Sequence, residues 1–220
     1  MLLVVGLGNP GSDYARNRHN VGFMAVDEIV HRHRFSRFRT KFHGKLAEGE
    51  VAGRKVMVFK PMTYMNRSGD AVLGAVRFFK IAPENVIVFH DELDLAGGKI
   101  RVKRGGGHAG HNGLRSIHSR ITPKYARVRI GIGHPGGKER VVGHVLKDFS
   151  KTEGKWVSKL MEAIAEAFPL LADGDDAGFM TKVSLIINPP VHKKREEAAE
   201  ETDEKPGEKP GEKPGENRKT

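Results

Sequence analysis

The chain of 220 residues contains no cysteine. That absence excludes disulfides, thiolate zinc sites and a cysteine nucleophile together. Long apolar runs are also missing. No stretch approaches the roughly 20 apolar residues of a membrane helix. The opening Met-Leu-Leu-Val-Val-Gly run is too short for a secretory signal and has no basic lead-in. A cytoplasmic location without membrane association is therefore expected. The G-x-S-x-G elbow that exposes a serine nucleophile is absent too. Ser12 and Ser68 sit in turn-like or helix-entry contexts, and Ser116 lies outside any such motif.

What the chain has in abundance is positive charge. It carries 38 Lys/Arg against 27 Asp/Glu, a net of +11, and its pI is about 9.9. Residues 192–220 hold eight of the basic and nine of the acidic side chains, so residues 1–191 keep 30 against 18, a net of +12. An excess of that size attracts polyanions, nucleic acid foremost. The 38% hydrophobic content belongs to an ordinary core rather than a basic tail. Length favours one domain, since domains commonly run about 100–200 residues.

Residues 204–216 repeat Glu-Lys-Pro-Gly three times and end on Glu216. Proline at every fourth position forbids helix and glycine offers no core, so 191–220 reads as a solvated charged tail behind a folded domain at 1–190. Within that domain strands and helices alternate. Residues 2–7 form a buried-strand run, and 21–31 carry helical spacing through Val21, Met24, Ala25 and Ile29. Residues 46–51 and 54–60 flank Gly53 as a hairpin. Residues 70–79 read as an amphipathic helix, 85–89 as an apolar strand and 100–103 as a half-exposed strand. A short helix at 114–121 and a strand at 127–132 follow. Residues 153–171 are a long helix with Trp156, Leu160, Ile164 and Phe168 (or Ala167) on one face. The pattern predicts an α/β fold: a single domain with a mixed central sheet and helices on both faces.

Gly6-Leu-Gly8-Asn-Pro-Gly11 after the first strand matches the dinucleotide-binding fingerprint G-x-G-x-x-G. That fingerprint needs a helix opening at once to face the pyrophosphate. Here Pro10 intervenes, helical spacing waits until about Asn20, and the acids Asp27 and Glu28 fall inside that helix. Nucleotide binding is rejected. What remains is a glycine-permitted turn presenting Asn9 at the carboxyl end of the sheet, where α/β proteins place ligands.

Four more segments lie at element ends: 18–20, 65–69, 90–94 and 105–113. The six runs Val-Gly-Leu-Gly-Asn-Pro-Gly, Arg-His-Asn-Val-Gly, Lys-Pro-Met-Thr-Tyr-Met-Asn-Arg-Ser-Gly, His-Asp-Glu-Leu-Asp-Leu, Gly-Gly-Gly-His-Ala-Gly-His-Asn-Gly-Leu and Arg-Ile-Gly-Ile-Gly-His-Pro-Gly stand in this order. Together they closely resemble the bacterial peptidyl-tRNA hydrolases over about residues 3–187. The resemblance implies an esterase that releases peptides from peptidyl-tRNA, a monomer without metal or cofactor. It implies His19 as catalytic base and Asp91 as the carboxylate that orients it. Asn9, Asn66 and Asn112 are similar to side chains that hold the peptide and polarise the ester carbonyl, and Tyr14, Met65 and His111 match positions lining that cleft. Lys103 and Arg129 match positions associated with tRNA contact. The chain departs from the family pattern at Ala96-Gly97, where prolines are common, and at Ala109, where a glycine is usual.

The chemistry is coherent without the resemblance. Imidazole is basic yet mostly neutral at pH 7, so it can take a proton from water. A carboxylate on its other nitrogen fixes the tautomer and stabilises the imidazolium. Asparagine amides can donate to a developing oxyanion, an effect of about 3–4 kcal/mol per donor in serine proteases. Each residue also has a blander reading. Asn20, Asn66 and Asn112 could cap helices, Asp91-Glu92 could be turn chemistry, and the glycine run could be a hinge. The rival sites are His108-x-x-His111 with Asp91 as a metal centre, or a serine nucleophile. A non-catalytic RNA binder is the remaining alternative.

Overall fold

The computed structural model describes residues 1–190, and Met1–Pro189 make one compact unit. Seven strands form one sheet: β1 Leu2–Gly6, β2 Arg39–Lys41, β3 Gly44–Val51, β4 Arg54–Pro61, β5 Val86–Glu92, β6 Ile100–Arg104 and β7 Ala126–Gly131. Their order is β2-β3-β4-β1-β5-β7-β6. β1 runs parallel to β4 and β5, and β5 parallel to β7, while the β2–β3, β3–β4 and β6–β7 pairs are antiparallel. The sheet is mixed, as the sequence predicts.

Among the described residues six α-helices cover it: α1 Val21–Arg32, α2 Ser68–Phe79, α3 Asn112–Ile121, α4 Val141–Val145, α5 Lys151–Asp173 and α6 Asp176–Ile187. Side-chain alternation on β1 sends Leu2 and Val4 to one face and Leu3 and Val5 to the other. The first face packs against Ala25 and Ile29 of α1, Leu160 and Ile164 of α5, and Phe179 of α6. The second packs against Val72 and Ala75 of α2 and Leu114 and Ile117 of α3. Both faces of the central strands are therefore sealed, which is why β1 and β5 read as continuous apolar runs rather than alternating ones.

Three elements escape the sequence reading. β2 is a short exposed edge strand, α4 spans only five residues, and α6 is apolar nearly all round, so it shows no clear stripe. One boundary matters for function. The strand expected at 85–89 continues through His90, Asp91 and Glu92, all buried and paired with β7. Asp91-Glu92 is thus strand, not turn. The 191–220 tail lies outside the described residues.

The glycine run after β1 has a packing cause. A Cβ on Gly6 would meet the Gly22 carbonyl oxygen at 2.5 Å, and one on Gly22 would meet the Phe89 carbonyl oxygen at 2.3 Å. These glycines let α1 lie directly on β1 and β5. The Leu7 carbonyl then accepts from the Phe23 N–H at 3.1 Å. Close packing on α1 thus accounts for Gly6 and Gly8, whose Cβ position meets the Phe23 ring at 2.7 Å, whereas Gly11 serves the turn with φ +113°.

Candidate active site

His19 sits in a 3-10 turn, Arg18–Asn20, that leads into α1. Asn20 was a candidate helix cap, but it makes no cap bond. Its amide instead pairs with the backbone of Asn9: Asn9 N–H donates to Asn20 Oδ1 at 2.9 Å, and Asn20 Nδ2 donates to the Asn9 carbonyl at 2.9 Å. This joint ties the loop after β1 to the turn carrying His19. Asn9 Oδ1 in turn accepts from the Met65 N–H at 2.8 Å. Its oxygen is therefore spent on the 3-10 turn Met65–Arg67, and its Nδ2 has no partner among the described residues.

Asp91 is at the centre of the charged cluster. His19 Nδ1 lies 2.9 and 3.0 Å from the two carboxylate oxygens. His111 Nε2 lies 2.9 Å from Oδ1. The tautomer of His111 follows from its other side. As the cap of α3, its Nδ1 accepts from the Gly113 and Leu114 N–H groups at 3.1 and 3.3 Å, so Nε2 carries the proton and donates to Asp91. The cap of α3 is thus His111, not Asn112, which is the first helical residue. His19 donates to Asp91 through Nδ1, and its Nε2 has no protein partner among the described residues.

The electrostatics follow from this sharing. Burial would raise the Asp91 pKa, but two imidazoles bonded to it hold it well below the usual carboxylate range. Burial would lower that of His19, yet the Asp91 charge and hydrogen bond outweigh it and move it up. Next along the strand, His90 is fully enclosed, with Nδ1 donating to the Asp91 carbonyl at 2.7 Å and Nε2 unpartnered. Burial, then the nearby His111, push it down to about 3, so it is a neutral structural imidazole.

Two depressions meet at His19. One, of about 370 Å³, is lined by Asn9, Tyr64, Met65, Asn66 and Asn112, with Val142, Val145 and Leu146 from the α4 region opposite. The other, of about 440 Å³, runs past Asp91, Glu92, His111 and Asn112 to Arg115 and Lys138. The structure therefore gathers His19, Asp91, Asn9, Met65, Asn66, His111 and Asn112. It does not bring Tyr14 to either lining; Tyr14 is half-buried in the turn Ser12–Tyr14, against Gly11.

Lys103 and Arg129 are not among the lining residues of either depression and share one face of the β6–β7 pair, Arg129 standing directly behind Glu92. Lys103 is exposed and opposite Arg127, while Arg129 Nε donates to Glu92 at 2.8 Å and keeps about a quarter of its side chain exposed. Sequence reasoning missed Asn20, Glu92 and the apolar α4 wall. Asn20 carried a usable signal, standing beside His19, whereas five helical residues are too few to show a period.

The rivals fare differently. Ser68 is fully buried and donates to the Met65 carbonyl at 2.9 Å; Ser116 Oγ accepts from the Gly69 N–H at 2.9 Å; Ser12 is exposed beside Asp13. None faces a base. His108 does not join Asp91. The cluster that forms is His19, Asp91 and His111, whose nitrogen and oxygen atoms lie within 4.8 Å of one another. These atoms are already bonded to each other, and His111 Nε2 would have to give up its proton to bind a cation.

Fold and site define an α/β domain with a His–Asp–His cluster and three asparagines at the carboxyl ends of its parallel strands, the equipment of a hydrolase. Comparison with known proteins narrows this. Residues 3–194 match the family model described as Peptidyl-tRNA hydrolase. A peptidyl-tRNA hydrolase of Dinoroseobacter shibae is 62% identical over 190 residues, covering 86% of this chain and 81% of the relative. One of Parvibaculum lavamentivorans is 62% identical over 195 residues, covering 88% and 95%. The crystal structure of peptidyl-tRNA hydrolase from Acinetobacter baumannii superimposes with a TM-score of 0.79 at 44% identity, covering 83% of this chain and 94% of that one. The chain belongs to the peptidyl-tRNA hydrolase family, and it is a hydrolase.

Proposed function

We propose that the chain cleaves the ester between peptide and tRNA by general-base activation of water at His19, without metal or cofactor, as a cytoplasmic monomer. The observation that carries this reading is the commitment of His19 Nδ1 to Asp91, which leaves Nε2 free beside three asparagine amides. Water attacks the ester carbonyl as Nε2 takes its proton. The tetrahedral oxyanion gains hydrogen bonds from Asn amides, and the imidazolium then returns the proton to the departing ribose oxygen. Asp91 stays ionised throughout, as its lowered pKa requires.

Lys103, the Nη groups of Arg129, which have no partner among the described residues, and the net +12 of residues 1–191 support binding of the tRNA backbone. Tyr14 keeps a role only at the margin of the site, since it lines neither depression. A metal mechanism at His19, Asp91 and His111 is the second reading that the geometry favours. Incubating the protein with N-acetyl-aminoacyl-tRNA, with and without EDTA, separates the two. Release of free tRNA unaffected by EDTA supports the general base, and loss of release that zinc restores supports the metal.

A further inference from the structure

Arg18 does no chemistry in this scheme, yet it is among the most heavily engaged side chains of the fold. Its side chain is 8% exposed. Nη1 donates to the Lys147 and Asp148 carbonyls at 3.1 and 2.9 Å, and Nη2 donates to both Glu153 oxygens at 2.9 and 2.7 Å. The ring of Phe149 lies 5.2 Å from its central carbon. The backbone repeats the connection: Arg18 N–H donates to the Lys147 carbonyl at 3.1 Å and Phe149 N–H to the Arg16 carbonyl at 3.2 Å. Every one of these partners lies in the segment that follows α4 or in the first turn of α5.

That segment leads directly out of α4. Val142 and Leu146 are 66% and 41% exposed, which is unusual for apolar side chains, and both face the depression that contains His19. Five residues of helix cannot hold their own position. Among the described residues α4 makes one side-chain hydrogen bond, from His144 Nε2 to the Ile132 carbonyl at 3.2 Å, and Val141 and Val145 rest on the core. Glu153 has a double duty, since its Oε2 also accepts from the Ser150 N–H at 2.8 Å in the capping box of α5.

We infer that Arg18, through Glu153 and the 147–149 backbone, is a positioning residue that sets the apolar wall of α4 over the substrate cleft at a fixed height above the neighbouring His19. A planar fork with donors on two sides suits this task and an ammonium does not. The inference rests on the hydrolase reading of the cleft.

The test is steady-state kinetics of N-acetyl-leucyl-tRNA hydrolysis by Arg18→Met and Glu153→Gln, with circular dichroism and thermal melting alongside. A displaced wall weakens contacts made equally in the ground and transition states, so KM should rise about tenfold with kcat within twofold. A purely structural loss lowers the amount of active enzyme, and so the apparent kcat, with KM unchanged. Glutamine at 153 retains the capping box, which keeps the test open should Arg18→Met fail to fold; its KM should rise in the same direction. The double variant should match the worse single, because the two side chains act as one contact. A folded Glu153→Gln or Arg18→Met with wild-type KM overturns the inference while leaving the role of His19 intact. Failure of the hydrolase reading would instead appear as an unimpaired His19→Ala.

Discussion

His19 and Asp91 differ from ordinary surface residues in what each nitrogen and oxygen is bonded to. Nδ1 is committed, Nε2 is free, and the carboxylate is shared with His111. His19→Ala should lower turnover about 100-fold or more, the usual scale for a positioned base. Asp91→Asn keeps the shape but offers an amide donor that favours the wrong tautomer. It should be strongly impaired, and the double variant little worse than His19→Ala. Near wild-type turnover by a folded His19→Ala that still binds tRNA would end the proposal. Because the His19 pKa is raised above 6.5, the rate should climb with pH through a midpoint above 6.5, as neutral imidazole forms. The stability that protonated His19 contributes runs the opposite way: it is fully present below 6.5 and lost as pH rises through the folded value. The asparagines should separate by kinetic constant. Asn112→Ala should lower kcat if its amide meets charge that develops only in the transition state, whereas Asn9→Ala and Asn66→Ala should mainly raise KM. Unchanged kinetics in all three would remove the amide cluster.

The glycine loop between β6 and α3 shows how an element delivers such residues. Arg127 reaches from β7 to donate to the Gly105 and Gly107 carbonyls, and His111 caps α3, so the loop is tied at both ends rather than hinged. Ala109 departs from the family pattern, and the structure places it at φ +44°, where a Cβ is strained. Ala109→Gly should therefore stabilise the protein by about 1 kcal/mol, read as a raised denaturation midpoint, with turnover kept. A lowered midpoint would mean that this backbone conformation carries no strain. At Ala96-Gly97 the other departure is covered by Trp156, whose ring approaches a Cβ position on Gly97 to 3.1 Å.

For the molecule as a whole, charge sets the long-range behaviour. With a net +12 on residues 1–191, affinity for tRNA should fall steeply as salt rises, through counterion release. A short peptidyl-nucleotide substrate should be far less affected. Lys103→Ala should weaken tRNA binding and spare cleavage of the short substrate; equal loss on both would place Lys103 in the chemistry instead. We propose that the 191–220 tail takes no part in catalysis. A chain ending at Pro190 should keep its activity on the short substrate, and a loss beyond about tenfold, roughly 1.4 kcal/mol of barrier, would contradict this.

Sequence alone determined the alternation of elements and the mixed sheet, and it named most of the residues that the structure gathers around His19. Those signals are local or periodic: apolar runs in β1 and β5, helical spacing in α1 and α5, and short motifs at element ends. Three things waited for the tertiary structure. Asp91 was legible as a carboxylate near a strand end, but its place within β5 depends on pairing with β7, a partner about 40 positions away in the chain. His111 was legible as a cleft residue, but its bond to Asp91 and its cap on α3 arise only when the glycine loop folds back over the sheet. The α4 wall and the Arg18–Glu153 contact join residues 135 positions apart. No periodicity encodes a contact between residues so distant in sequence. Their meeting is settled by how the helices pack on the two faces of the sheet, because burial and hydrogen-bond geometry are properties of the assembled core and not of any window of sequence.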